Sequence, residues 1–246
     1  MHLIIDLGNT TEKAALFSGE ELLQVYKSAK LNEDILLEII NNHPINAWII
    51  SSVTNALTQF TSVLHKISTG IEFNHTTPIP IENLYTTPET LGKDRLANAI
   101  GAWKLFPGKN ILVIDAGSCI KYDVLSHTGK YIGGGISPGL AMRFDAMHHF
   151  TAKLPKIKSD RYAIPNKLLL PGESTEAALI CGGAMGAIKE VEGFINDYKK
   201  KYNDLIVILT GGDLSFFDYH LKIKIFALPD LTLIGLNTVL EFNSKN

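Results

Sequence analysis

The sequence has few cysteines and no long apolar run. Cys119 and Cys181 are its only cysteines, too few for a disulfide framework, and neither has a neighbour typical of a metal site. We expect both to be small core residues of a protein in a reducing compartment. No apolar stretch approaches the length of a membrane span, and the N-terminus enters a strand pattern rather than a cleavable leader. These features predict a cytoplasmic protein with no membrane partner.

The sequence also lacks an excess of basic charge. Its 246 residues include 23 lysines and arginines against 25 aspartates and glutamates, for a formal net charge of -2. Because binding to a phosphate backbone requires a basic face, we expect no nucleic-acid partner. Hydrophobic residues make up 46% and charged residues 20%, a composition typical of a globular protein with a sizeable core.

Hydrophobic periodicity predicts the same order of elements twice. The first half begins with three short strands, "HLIIDLG", "EKAALFSG" and "ELLQVYKSA", followed by helices that alternate with strands. After the turn "PGKN", the strands "ILVIDAG", "IKYDVLS" and "KYIGGG" restart the pattern. The order βββαβαβα therefore recurs after about one hundred residues, which indicates a duplication at domain scale. We predict two domains, residues 1–106 and 107–246.

The first strand ends in residues that a purely structural strand does not need. Asp6 is followed by Gly8, by Asn9, Thr10 and Thr11, and then by Lys13. Glycine lets the backbone approach an anion, the polar side chains donate hydrogen bonds, and lysine supplies a point charge for a phosphate. Asp6 suits such a site if Mg²⁺ lies between it and the phosphate. An ordinary β-turn is the structural alternative.

Two later segments extend this pattern. The segment "DAGS" (residues 115–118) repeats an aspartate, a glycine and a hydroxyl at the equivalent strand end of the second half. The segment "LTGGD" (residues 209–213) predicts a strand that ends in a glycine turn before a helix, which suits an adenosine or a phosphate. A plain Asp-capped helix explains this last segment equally well when it is considered alone.

Together, "DLGNT", "DAGSC" and "LTGGD" resemble the phosphate-1, phosphate-2 and adenosine motifs of the actin-like ATPase and sugar-kinase superfamily. The segments "YTTPETLGKDRLANAIGA", "YIGGGISPG" and "GESTEAALICGGAMGAI" narrow the resemblance to type III pantothenate kinase. It extends in order from Asp6 to about Asp213. It implies an α/β fold of duplicated actin-like ATPase (ribonuclease H-like) domains, each a mixed five-stranded sheet with flanking helices.

The resemblance also implies an activity. Members of this family phosphorylate pantothenate with ATP to give 4'-phosphopantothenate, the first step of coenzyme A biosynthesis, and they are homodimers that use Mg²⁺ and a monovalent cation, K⁺ or NH4⁺. Asp94 in "GKDR" matches the catalytic base that accepts the substrate hydroxyl proton. Asp115 matches the ligand of the monovalent cation, and Asp6 is expected to hold Mg²⁺ directly or through water.

The remaining site residues are carried over by their place in the same motifs. The expected contacts to ATP and its phosphates are Asp6, Leu7, Gly8, Asn9, Thr10, Thr11, Glu12, Lys13 and Ser118. The expected contacts to pantothenate are Tyr85, Gly92, Lys93, Asp94, Arg95 and Thr175. The forked guanidinium of Arg95 suits either the substrate carboxylate or the transferring phosphoryl group. Ser118-Cys119 departs from the Thr-Ala that the family more often has, but serine retains the hydroxyl.

Other classes of protein share parts of this pattern. A related kinase acting on a sugar or acetate is disfavoured by the segment from Tyr85 to Arg95. A nucleotide-dependent regulatory protein is disfavoured by the intact Asp94, which a binding module does not require. A filament-forming actin relative is disfavoured by the short chain, which has no large insertions.

Overall fold

A computed structural model of the chain describes residues 1–52, 57–157, 164 and 167–245. These residues form two compact units. The first contains Met1–Gly108, Leu125–Ile132 and the chain from Asp230 onward, and the second contains Lys109–Val124 and Gly133–Pro229. The predicted division between residues 106 and 107 stays a prediction, since the units are assembled from more than one segment of chain.

The first unit is built on a mixed sheet with strand order β3-β2-β1-β4-β5. Strand β2 is antiparallel to β1 and β3, whereas β4 is parallel to β1 and β5. The nearly continuous apolar run of β4 is typical of a strand buried on both faces. The strands are β1 His2–Leu7, β2 Glu12–Ser18, β3 Glu21–Ser28, β4 Ala47–Ser52 and β5 Thr69–Glu72.

Helices cover both faces of this sheet. They are α1 Glu33–Asn42, α2 Leu57–Leu64, α3 Lys93–Leu105 and the C-terminal α8 Leu231–Ser244, with a short 3₁₀ helix at Pro88–Thr90. On one face, α1 and α2 pack on alternate residues of β1 and β4. On the other, α3 crosses α8 so closely that a Cβ on Gly235 would lie 1.8 Å from the carbonyl oxygen of Ala97. Glycine at this position therefore permits the crossing.

The second sheet has the strand order β11-β10-β7-β8-β9-β6. Its first five strands repeat the order of the first sheet read from the other end, which confirms the predicted repetition of elements. The strands are β6 Glu82–Asn83, β7 Ile111–Ala116, β8 Cys119–Leu125, β9 Lys130–Pro138, β10 Ile206–Thr210 and β11 Phe226–Ala227. The sixth strand corrects the predicted count of five. Strand β6 pairs with β9 because the backbone N–H groups of Glu82 and Leu84 donate to carbonyl groups at that strand edge.

The second unit has its own helices. They are α4 Leu140–His149, α5 Thr175–Ile180, α6 Gly186–Lys201 and α7 Leu214–His220. A π-helical segment, Cys181–Met185, joins α5 to α6. A Cβ on Gly183 would lie 2.5 Å from Cε1 of Phe144, so this glycine allows α4 to pack closely. In the part of the chain that the structure describes, the helices are too short or too polar to cross a membrane.

Candidate functional site

In the first unit, three polar residues line up on one face at the end of the sheet. Asp6 of β1 lies opposite Lys13 of β2 and opposite Ser51 of β4. Residues directly opposite one another in paired strands point to the same face. Ile5 and Leu7 belong to the core under α1 and α2, so Asp6 between them faces the side covered by α3 and α8. A carboxylate, an ammonium group and a hydroxyl are thus neighbours.

Lys13 is held by an acidic residue that the sequence pattern did not reveal. Its Nζ donates to Oδ1 of Asp230 over 3.1 Å, and both side chains are largely buried. Asp230 immediately precedes α8, so the last helix of the chain orients the lysine that was predicted to bind a phosphate. The separation of 217 residues along the chain explains why no local motif could show this pair.

The turn that joins β1 to β2 separates exposed from buried members of the predicted ATP contacts. A Cβ on Gly8 would lie 2.8 Å from the carbonyl oxygen of Thr11, so glycine allows the turn to close. Asn9 and Thr10 are exposed, and Thr11 is half-buried. Leu7 is fully buried in the core.

Glu12, another predicted ATP contact, is also buried, at 6% exposure. Its Oε2 accepts a hydrogen bond of 2.5 Å from the backbone N–H of Leu31, just before α1. This hydrogen bond links the first residue of β2 to the segment before α1.

A buried hydroxyl next to Asp6 lacks a hydrogen-bond partner. Ser51 is 1% exposed, and among the described residues its Oγ has no hydrogen-bond partner. Burying a hydroxyl without a partner is costly, and such groups commonly mark a bound water or ligand oxygen. A bound water or ligand oxygen next to Asp6 would satisfy this hydroxyl.

Asp94 lies in the first turn of α3, where Gly92 is the N-cap residue. Its Oδ1 accepts a hydrogen bond of 2.9 Å from the backbone N–H of Arg95. A Cβ on Gly92 would lie 2.7 Å from this oxygen, so glycine at the cap leaves room for the carboxylate. The backbone thus fixes the orientation of the predicted catalytic base. Lys93, also predicted to contact the substrate, is half-buried beside it.

The opposite end of α3 shows which way the helix runs. Lys104, in its last turn, donates to Glu20 over 2.5 Å, and Glu20 lies in the β2–β3 turn at the edge where β1 begins. About 15 Å of helix separates Lys104 from Asp94, close to the length of β1. Helix α3 therefore carries Asp94 toward the edge of the sheet where Asp6 lies.

The structure brings two predicted substrate contacts together. The guanidinium carbon of Arg95 lies 5.5 Å from the centre of the Tyr85 ring, in a cation–π geometry. The Tyr85 ring in turn lies 6.1 Å from that of Tyr131. Arg95 is only 4% exposed. Arg95 is therefore not the solvated surface arginine that a simple helix start would have.

In the second unit, the predicted cation ligand already has a cationic partner. Oδ2 of Asp115, at the end of β7, accepts a hydrogen bond of 2.8 Å from Nζ of Lys121 in β8. The two side chains are 13% and 20% exposed, respectively. Sequence reasoning missed Lys121, although its place in the strand directly after the "DAGS" turn was the available signal.

Three glycine-containing turns meet around Asp115 and Ser118. The backbone N–H of Gly139 donates to the carbonyl oxygen of Ser118, and that of Asp213 donates to Ala116. Gly211 has a φ of +95°, and a Cβ there would lie 2.5 Å from Oδ1 of Asp115. Asp213 precedes α7, but its side chain makes no capping hydrogen bond, so a plain capped helix does not explain the motif.

Glu190 of α6 is hydrogen-bonded to residues of β8, β9 and α4, next to this group of turns. Its carboxylate accepts hydrogen bonds from Tyr122, from Ser137 and from Arg143, the last at 2.5 Å. Burial alone would raise the pKa of Glu190, but these three hydrogen bonds hold the pKa below its ordinary value. Burial and the neighbouring carboxylate raise the pKa of the Tyr122 hydroxyl. Sequence reasoning missed this network because its members come from different elements.

Thr175, a predicted substrate contact, is exposed at the first position of α5. The N-cap of that helix is Ser174, whose Oγ accepts a hydrogen bond of 3.1 Å from the backbone N–H of Ala177. Thr175 therefore has no capping role in the structure.

Comparison with known proteins identifies the family to which the chain is similar. A sequence profile described as type III pantothenate kinase matches residues 2–197. The type III pantothenate kinase of Phocaeicola vulgatus is 43% identical over 246 residues, with all of both chains covered. A Baf family protein from Campylobacter jejuni has a similar solved structure, with a TM-score of 0.64, 21% identity, and coverage of 99% of this chain and 100% of that one.

A second solved structure is the activator of 2-hydroxyisocaproyl-CoA dehydratase from Clostridium difficile, with bound ADPNP. It has a TM-score of 0.57 and 11% identity, and covers 99% of this chain and 95% of that one. At this identity the likeness concerns the fold alone. It confirms the predicted α/β fold of the actin-like ATPase type.

Proposed function

Since the chain belongs to the type III pantothenate kinase family, we propose that it phosphorylates pantothenate with Asp94 as its catalytic base. The chain is a kinase of coenzyme A biosynthesis, as the full-length similarity to curated pantothenate kinases supports. ATP is its phosphate donor in this proposal, and 4'-phosphopantothenate is its product. The observation that carries the proposal is the fixed carboxylate of Asp94 at the head of α3, beside the Arg95–Tyr85 pair.

Asp94 supplies the acid–base chemistry. Pantothenate attacks through its primary hydroxyl, which forms a bond to the γ-phosphorus of ATP while the bond to the ADP oxygen breaks. The hydroxyl proton passes to the Asp94 carboxylate. The hydrogen bond from the Arg95 backbone supports this role because it holds the carboxylate in one orientation before the substrate binds.

Arg95 binds the carboxylate of pantothenate in this proposal. Its guanidinium is buried and lies against Tyr85, which the family resemblance also assigns to the substrate. The paired N–H groups of arginine match a carboxylate in a way that a lysine ammonium does not. Contact with the transferring phosphoryl group is the alternative role. Gly92 and Lys93 complete the same segment.

The turn after β1 binds the ATP phosphates. The N–H groups and side chains of residues 8–11 donate to phosphate oxygens, and Lys13, oriented by Asp230, adds positive charge. Leu7 and Glu12, which flank this turn, are buried, and Glu12 is hydrogen-bonded to the backbone N–H of Leu31. In the second unit, the Ser118 hydroxyl is proposed to donate to a phosphate.

Mg²⁺ fits the neighbourhood of Asp6. A carboxylate is a preferred ligand of Mg²⁺, and a water bound to the ion would give the Ser51 hydroxyl the hydrogen-bond partner that it lacks among the described residues. When bound, the ion neutralises charge on the phosphates. Asp6 would hold it directly or through water.

The fit is poor for the predicted K⁺ or NH4⁺ at Asp115. The Lys121 ammonium already takes Oδ2 of this carboxylate. A second cation at the same oxygen would have to displace the lysine or approach it against charge repulsion. No step of the proposed reaction therefore depends on a monovalent cation.

We further propose that the kinase is a cytoplasmic homodimer. Thr175 is exposed. A residue that contacts pantothenate across a subunit boundary would be exposed in the single chain. Gly182 and Gly186 follow on the same helical segment and are exposed, and apart from the adjoining residues and the backbone of the helix itself, no atom of the described residues lies within 4 Å of a Cβ placed on either. Such glycines permit the close approach of a partner helix.

The proposed base is tested by comparing Asp94→Asn with the wild type. We expect turnover of pantothenate to fall by about 10²–10⁴-fold, while ATP binding measured by calorimetry stays within about twofold. Asp197→Asn is a matched control, because Asp197 is an exposed partner of Lys200 on α6. Wild-type turnover in Asp94→Asn would show that another group accepts the proton.

A further inference from the structure

We propose that Lys121 supplies, as part of the chain, the positive charge that a monovalent cation would bring to Asp115, so that this kinase works without K⁺ or NH4⁺. The inference rests on the proposed function and deepens it. It starts from the hydrogen bond of 2.8 Å between Nζ of Lys121 and Oδ2 of Asp115.

The two charges form a close, sheltered pair. Both side chains are more than three-quarters buried, where a charge-assisted hydrogen bond is stronger than at an exposed site. A carboxylate beside a turn that binds a phosphate would repel the phosphate unless a cation neutralised it. Lys121 does so from the neighbouring strand, and strand pairing fixes its position.

Lys121 also makes Asp115 a poor metal ligand. K⁺ sites replace the hydration shell of the ion with oxygen atoms, whereas a lysine ammonium has three donors and no lone pair to offer.

The second oxygen of Asp115 lies close to the glycine turn after β10. A Cβ on Gly211 would lie 2.5 Å from Oδ1, so the turn after β10 packs directly against this oxygen. The turn is anchored there by the hydrogen bond from Asp213 N–H to the carbonyl oxygen of Ala116. Asp115 thus has lysine at one oxygen and the glycine turn at the other.

In this arrangement Lys121 is a positioning residue. It holds Asp115 neutralised and oriented beside the turn that carries Ser118, and it takes no proton from the substrate. Replacing it by methionine removes the charge but keeps a side chain of similar length. The vacated side of Asp115 then becomes a place that a small cation from solution can fill.

The test measures pantothenate phosphorylation with Mg²⁺ and ATP in tetramethylammonium, Na⁺, K⁺ or NH4⁺ chloride at one ionic strength. We expect the wild-type rate to vary by less than about twofold. For Lys121→Met we expect at least a tenfold loss in tetramethylammonium and recovery in K⁺ or NH4⁺. Lys189→Met is the control, because Lys189 makes an exposed pair on α6, and it should behave as the wild type.

Thermal unfolding in the same salts gives a readout independent of catalysis. K⁺ should raise the Tm of Lys121→Met above its value in tetramethylammonium and leave that of the wild type unchanged. A wild-type enzyme that requires K⁺ would overturn the inference, and so would a folded Lys121→Met protein that no cation rescues. If Lys121→Met does not fold, the wild-type salt series decides alone. Absence of product in every salt would count against the proposed function. The role of Lys121 would then be decided by the Tm of the wild type, which K⁺ should leave unchanged.

Discussion

Replacing Glu190 by glutamine should destabilise the protein by about 2 kcal/mol, a value within the range for hydrogen bonds to a charged group. The carboxylate accepts from Tyr122, Ser137 and Arg143. Glutamine keeps one acceptor oxygen but turns an amide N–H₂ toward donors, so at least one of these groups loses its partner. For a chain of this length, 2 kcal/mol corresponds to a fall in Tm of about 4–8 °C.

The pH dependence of this loss follows from the lowered pKa of Glu190. A carboxyl whose folded pKa lies below its unfolded value of about 4.3 contributes stability that is fully present above that value. The contribution disappears as the pH falls through the folded pKa. The difference in Tm between wild type and Glu190→Gln should therefore be largest at neutral pH and shrink below about pH 4.

Scanning calorimetry from about pH 3 to about pH 7 is the assay. Glu192→Gln is the matched control, because Glu192 lies on the same helix and pairs with the exposed Lys189. Its free energy of unfolding should change by less than about 0.5 kcal/mol. A Glu190→Gln protein as stable as the wild type at neutral pH, or a Tm difference that is constant with pH, would refute the network as described.

Two further substitutions test the packing and the substrate site. Gly235→Ala should lower the free energy of unfolding by about 3 kcal/mol or more, because the new Cβ overlaps the Ala97 carbonyl where α3 crosses α8. Gly193→Ala, at an exposed position of α6, is the control and should raise the free energy of unfolding by about 0.5–1 kcal/mol. Equal chemical denaturation curves for the two variants would contradict the close crossing of α3 and α8. Arg95→Lys should raise the KM for pantothenate by about tenfold with little change in the KM for ATP, because lysine lacks the forked guanidinium that lies against Tyr85. Steady-state kinetics that show a larger rise in the KM for ATP would instead assign Arg95 to the phosphoryl group.

Local sequence pattern was enough to predict the repeated order of elements. Strand period, turn residues and helix period are all encoded within a few neighbouring residues. The glycines of the "DAGS" and "LTGGD" turns pointed to strand ends, and the structure brings both turns together in the second unit. The two-residue strand β6 escaped prediction because so short a segment shows no periodicity.

Partners distant in sequence were beyond local pattern. Asp230 meets Lys13 only because the chain returns to the first unit at α8. Lys121 lies close to Asp115 along the chain, but the contact between their side chains depends on the pairing of two strands. Glu12 was predicted to contact a phosphate from its place in a motif, whereas its burial against the N–H of Leu31 depends on tertiary packing. In each case the type of residue was visible in the sequence and its environment was not.

The central claim is tested most directly by incubating the purified protein with Mg²⁺, ATP and pantothenate and analysing the product by mass spectrometry and ³¹P NMR. The account predicts ADP and one phosphate monoester, 4'-phosphopantothenate, formed in equal amounts, and about 10²–10⁴-fold slower formation by Asp94→Asn. Binding of ATP without any phosphorylated pantothenate would contradict the assignment of this chain as a pantothenate kinase.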